Sequence, residues 1–230
     1  MRLLTALAGA LLIAPAAASV APARPVAAHD WTRTVAATPQ GGIRMGNPKA
    51  RLALVEYGSL TCPHCRHFAE TAVKPLLDRY VRTGRLSYEF RSFILNGPDL
   101  AATLLARCGG PGHFFPMAEQ LYATQPIWLG KVADLPKEQQ DKLNALPQGD
   151  LMVALAKMSG LIPVSAAHGV PPAKAQLCLK DQKAALGLMN VVRGGEELGV
   201  QGTPTFFLNG KQIAAYDWES LQPFLQKAGG

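Results

Sequence analysis

No stretch of this chain is apolar for long enough to cross a bilayer as a helix. The one sustained run, residues 3–14, falls short of the ~20 residues that a span needs. Basic residues outnumber acidic ones, 23 to 16, but no basic run exceeds two residues and aromatics do not alternate with the basics. That pattern argues against a nucleic-acid surface and for a mildly basic soluble exterior. Charged residues are scarce, at 17% against 48% hydrophobic, which excludes a disordered chain. No tandem repeat is visible, so solenoids, collagens and coiled coils drop out. Cysteine is also scarce. Four in 230 residues are too few to staple a fold, and a chain of this length can bury a core without them.

What is present begins with an address. Met1-Arg2 is a positive start, Leu3 to Ile13 is rich in Leu and Ala, and Ala16-Ala17-Ala18 offers a cleavage site. This predicts a secretory signal peptide over residues 1–18, with Ala27-Ala28 as a second place to cut. The bland alternative is a buried N-terminal helix. Residues 19–42 are rich in Ala, Pro, Thr and Gly and read as a flexible lead-in. Export places the cysteines in an oxidising compartment.

The remainder reads as α/β, one domain split by an insertion. Arg51 to Tyr57 is a short apolar run after Gly46-Asn47-Pro48 and predicts a buried strand. Residues 59–82 carry helical periodicity, with a kink expected at Pro75. Leu86 to Phe93 predicts a second strand, parallel to the first. Residues 98–190 contain helical pieces separated by Gly and Pro, at 100–108 (capped by Asp99), 113–124, 137–146, 150–159 and 172–179. They form an all-helical insertion, and a last long helix over 181–198 leads back to the sheet. Two apolar runs then flank Asn209-Gly210, a hairpin signal, and Asp217 caps a final helix that contains Pro223. The split domain is therefore 43–97 with 191–228, around an insertion at 98–190.

The chemistry centres on Cys62-Pro63-His64-Cys65. Pro63 suits a first helical turn, which makes Cys62 the cap, with its sulfur facing free N–H groups and the positive end of the helix dipole. Both favour a thiolate, the attacking species. His64 adds a donor or a positive charge. Cys65, one turn on, is within disulfide reach and acts as the resolving thiol. Haem attachment fails because Arg66 stands where that motif needs His. Structural zinc fails because Cys62, Cys65 and His67 supply only three ligands. No metal and no cofactor is expected. Cys108 and Cys178 are an even pair in an exported chain, which suggests a second, structural disulfide; two unpaired buried thiols are the alternative. Phe114, Phe115, Trp128 and Leu129 are either core or the wall of an apolar substrate groove.

With these residues in view the chain resembles the thioredoxin-fold disulfide oxidoreductases of the DsbA type. The resembling segments are Gly46 to Ala50, Val55-Glu56-Tyr57, Thr61 to Cys65, and Val200 to Gly210 (VQGTPTFFLNG). The resemblance implies a thioredoxin fold with an all-helical insertion between its βαβ and ββα halves. It implies a cis Pro204 facing the redox-active Cys62–Cys65 pair, with the Thr203 backbone free to pair with an extended substrate. It implies that Glu56 relays protons to Cys65, although no basic strand partner for that acid can be identified. Some relatives carry an extra bridge where Cys108 and Cys178 fall. The implied activity is disulfide donation to cysteine-containing exported proteins by a periplasmic monomer, reset by a membrane redox partner. An isomerase or reductase built on the same residues, and a peptide-binding chaperone using the helical insertion, remain open.

Overall fold

The computed structural model describes residues 29–229, so the signal peptide expected over 1–18 lies outside the described residues. Trp31–Arg33 forms a 3-10 turn. Strands β1 (Val35–Ala37) and β2 (Ile43–Gly46) then pair as an antiparallel hairpin. The flexible lead-in predicted to run to residue 42 therefore ends in ordered structure. Thr38 holds that turn: its hydroxyl accepts the Gly42 N–H at 3.0 Å and donates to Glu89 at 2.8 Å. Gly41, at φ +80°, supplies the left-handed residue the turn needs. A three-residue strand is too short to show alternation, which is why the sequence hides it.

Strand β3 (Leu52–Gly58) feeds α1 (Pro63–Phe68), which continues through a wide π-helical turn, Ala69–Val73, into α2 (Lys74–Leu76) and a second such turn, Leu77–Val81. The predicted kink at Pro75 is replaced by these widened turns. Proline has no N–H to give and crowds the carbonyl one turn back, and a wider turn accommodates both. Strand β4 (Leu86–Ser92) follows.

The insertion comprises α3 (Gly97–Cys108), α4 (Pro111–Ala123), α5 (Gln125–Ala133), α6 (Lys137–Asn144), α7 (Gln148–Met158), α8 (Leu161–Ala167) and α9 (Pro172–Leu179). Asn96, not Asp99, caps α3 by accepting the Asp99 N–H at 2.9 Å, which leaves the Asp99 carboxylate free to point inward. Helices α5 and α8 escape the sequence reading because Pro126 and Pro163 interrupt their pattern. Both prolines sit in first turns, where they are tolerated. Helix α10 (Gln182–Glu197) crosses the expected boundary at residue 190: Ala185 and Leu188 pack with the insertion, whereas Val191 packs with Tyr57 and Phe207.

Strands β5 (Thr205–Leu208) and β6 (Lys211–Ile213) turn at Asn209-Gly210, both at positive φ, and α11 (Trp218–Lys227) closes the chain with a capping box between Asp217 and Ser220. The sheet order is β1-β2-β4-β3-β5-β6, with β3 parallel to β4 and all other neighbours antiparallel. This is the split α/β arrangement that the resemblance implies. Leu52, Leu54, Phe206 and Leu208 face Phe68, Leu76, Leu221 and Leu225 on one side of the sheet. Glu56 shares the parity of Leu52 and Leu54, so it points to that same helix-covered side.

Candidate functional site

Strand β3 ends beneath the N-terminus of α1, and this junction holds both cysteines. Cys62 caps the helix in extended conformation with Pro63 in the first turn, and the Cys65 N–H reaches its sulfur at 3.5 Å. Opposite lies the Thr203–Pro204 peptide, which is cis. The Cys62 thiol donates to the Thr203 carbonyl at 3.2 Å. The structure thus brings Cys62, Pro63, Cys65, Thr203 and Pro204 together from both halves of the chain. The side chain of His64 is exposed; what it directs at Cys62 is its backbone N–H.

The two thiols differ sharply in acidity. A hydrogen bond from the Cys65 thiol, the Thr203 side chain, and the N–H groups of Cys65 and His64 bring Cys62 from 9.0 down to about 5, against the opposing effect of burial. Cys65 is fully buried, and burial, followed by its hydrogen bond to Cys62 and the charge of Glu56, pushes it well above 9.0. Its sulfur accepts the Ser59 N–H at 3.5 Å.

Glu56 lies on the central strand, 1% exposed, between Phe90 of β4 and Phe206 of β5. Burial raises its carboxyl from 4.5 to about 8, partly offset by a hydrogen bond donated by the Tyr88 hydroxyl. Tyr88, which carries no signal in the sequence, is the strand partner of this acid, and it is a phenol and not a base. Arg91 of β4 instead pairs with Glu89 at 2.7 Å and the Tyr57 hydroxyl at 2.9 Å. Matching parity on two paired strands could have pointed to Tyr88, but the register needed for that is not written in one sequence. Glu56 and Tyr88 border a cavity of about 670 Å³ walled by Phe90, Phe114 and Phe115 on one side and Val73 and Leu77 on the other. A Cβ on Gly58 would lie 2.6 Å from the Phe90 ring and 2.7 Å from Glu56 Oε1, so the absence of a side chain there makes room for the acid.

The insertion grips the loop before Cys62. Asp99, fully buried, accepts the N–H of Leu60 and of Leu95, each at 3.0 Å, and burial raises it to about 6. The Tyr122 hydroxyl donates to the Ser59 carbonyl at 3.0 Å, and the Gln125 amide donates to the carbonyls of Leu60 and Cys62. None of these three carries a motif. Phe114 and Trp128 are buried core residues. Cys108 and Cys178 are bonded to each other and join the end of α3 to α9. Among the described residues no group of three or more His, Cys, Asp or Glu gathers to hold a metal.

Comparison with known proteins agrees with this geometry. The thioredoxin family model matches residues 38–227. A Rickettsia felis protein provisionally named a protein-disulfide oxidoreductase is 30% identical over 188 residues, 80% of this chain and 59% of its own length. A Rickettsia bellii protein of the same name is also 30% identical, with 63% of its length covered. The chain therefore spans about 60% of the length of these curated relatives. The solved structure of a protein-disulfide isomerase from Novosphingobium aromaticivorans superposes with a TM-score of 0.76 at 29% identity, covering 81% of this chain and 97% of that one. Wolbachia pipientis alpha-DsbA1 shares the fold, with a TM-score of 0.67 at 21% identity over 84% of this chain and 92% of that one.

Proposed function

The chain belongs to the thioredoxin family, and on that premise we propose that it is a thiol–disulfide oxidoreductase that passes a Cys62–Cys65 disulfide to cysteine-containing exported proteins. One observation carries the direction of transfer: Cys62 is held near 5 while Cys65, one turn away, is held well above 9.0. A stabilised Cys62 thiolate favours the reduced protein, and a pair that favours its reduced form is an oxidant.

A substrate thiolate attacks the Cys62 sulfur, the Cys62–Cys65 bond breaks, and Cys65 leaves with the electron pair. Glu56, protonated at neutral pH by virtue of its value of about 8, donates the proton that Cys65 takes up. A second substrate thiolate then attacks the substrate sulfur of the mixed disulfide, and Cys62 departs as the thiolate. Two electrons have moved from the substrate dithiol to the Cys62–Cys65 pair, which a membrane redox partner reoxidises. The Thr203 backbone, beside the cis Pro204, aligns an extended substrate as an added strand. The setting is periplasmic, with the protein acting as a monomer.

The 29% identity to the Novosphingobium aromaticivorans protein-disulfide isomerase supports a second reading, in which the same site reshuffles wrong disulfides. The test is the equilibrium constant of the Cys62–Cys65 pair with glutathione, together with turnover on a reduced and on a scrambled disulfide-rich protein. The oxidase reading expects a potential near the oxidising end, between roughly −120 and −180 mV, and turnover of the reduced substrate that Cys62→Ser abolishes. A potential near −270 mV, or turnover of scrambled substrate alone, overturns it.

A further inference from the structure

The loop that presents Cys62 is held from outside its own half of the fold. Gln125, at the start of α5, is a polar side chain only 3% exposed. Its side-chain nitrogen donates to the Leu60 carbonyl at 2.9 Å and to the Cys62 carbonyl at 3.1 Å. The Cys62 carbonyl also accepts the Arg66 N–H at 3.1 Å, the bond that begins α1. One amide therefore fixes the peptide plane from which the helix starts, and ties it to a carbonyl two residues upstream. The N–H groups of His64 and Cys65, which face the Cys62 sulfur, belong to that same turn. The amide's two N–H groups also place the positive end of its dipole inside the loop. On the other side of the loop Tyr122 holds the Ser59 carbonyl and Asp99 holds the Leu60 N–H, so α3, α4 and α5 each contribute one hand of the clamp.

We propose that Gln125 is a positioning residue for the exchange reaction: by holding the Leu60 and Cys62 carbonyls it keeps the first turn of α1 aimed at the Cys62 sulfur and favours the reduced form of the pair. The proposal rests on the exchange reading above, and it gives the helical insertion a part in setting the redox poise. A thioether or leucine at position 125 would fill the volume but leave the buried Leu60 carbonyl without a donor, and such a group relaxes toward whatever partner it can find.

The test is Gln125→Met in the full-length protein, read by ultraviolet titration of the Cys62 thiolate and by the equilibrium with glutathione. The expected result is an upward move of the titration by about one pH unit and an approximately tenfold shift of the equilibrium toward the disulfide. Tyr122→Phe removes the single hydroxyl that α4 donates to the same loop and should move both readouts the same way by a smaller factor. Melting temperatures of both redox states separate positioning from plain packing. Positioning destabilises the reduced protein more than the oxidised one, to the limit of a variant that folds only as the disulfide. Equal destabilisation of both states, or an unmoved titration and equilibrium, overturns the proposal. Neither readout requires turnover of a protein substrate, so a wild-type protein that fails to oxidise substrates would sink the function above without touching this result.

Discussion

Cys62 and Cys65 lie one helical turn apart and shift in opposite directions because the Cys65 thiol, helped by N–H groups, hydrogen-bonds one sulfur while burial encloses the other. This has a consequence for stability against pH. The folded value of Cys62, about 5, lies below the 9.0 of an ordinary thiol. In the reduced protein the thiolate therefore contributes stability that is complete above pH 9 and is lost as pH falls through 5. The oxidised protein has no thiol there to titrate. Glu56 works in the opposite sense: its folded value of about 8 lies above 4.5, so its contribution is complete below 4.5 and lost as pH rises through 8. Glu56 is present in both redox states, so the difference between them reports chiefly on Cys62. Melting both forms from pH 5 to 9 should show the reduced form gaining on the oxidised one throughout. A gap that does not change with pH would contradict the assignment.

At the scale of elements, the site depends on how closely β3 and β4 approach. Gly58 ends β3 opposite Ser92, and a methyl group there would collide with the Phe90 ring and with Glu56. Gly58→Ala should destabilise the protein by about 1–3 kcal/mol, the usual cost of overpacking a filled core. Urea denaturation checks this, and a midpoint equal to wild type would show that Phe90 and Glu56 yield without penalty. Much of this level is legible in the sequence. The strands around 52–58 and 86–92, the Cys62 cap, the Asn209-Gly210 hairpin and most insertion helices follow from periodicity and punctuation. The misses have local causes. Strand β1 is too short to show a period, and α5 and α8 carry prolines that look like breaks until their place in the first turn is known. Asp99 reads as a cap because Asp favours caps, yet Asn96 takes that place and Asp99 turns into the core.

Across the whole molecule, the insertion is bound to itself by Cys108–Cys178, 70 residues apart in sequence, and to the sheet domain by α10 and the loop clamp. Closing a loop of that length removes about 4 kcal/mol of chain entropy from the unfolded state. A Cys108→Ala, Cys178→Ala double variant should lose stability of that order in denaturant melts while its Cys62 thiolate still titrates low. Loss of the low titration together with the bridge would show that the disulfide acts on the redox site itself.

The sequence alone determined that Cys62 caps a helix with Cys65 one turn on, because a cysteine before Pro63 at a helix start carries that placement in local backbone geometry. It determined the sheet-and-insertion architecture through hydrophobic period and turn residues, which are also local. Tertiary structure alone decided which groups surround those sulfurs. Tyr88 meets Glu56 only through the register of two strands, and Asp99, Tyr122 and Gln125 reach the Cys62 loop only after three separate helices have packed. Such contacts join residues far apart in the chain, and no propensity or spacing rule encodes the packing that brings them together.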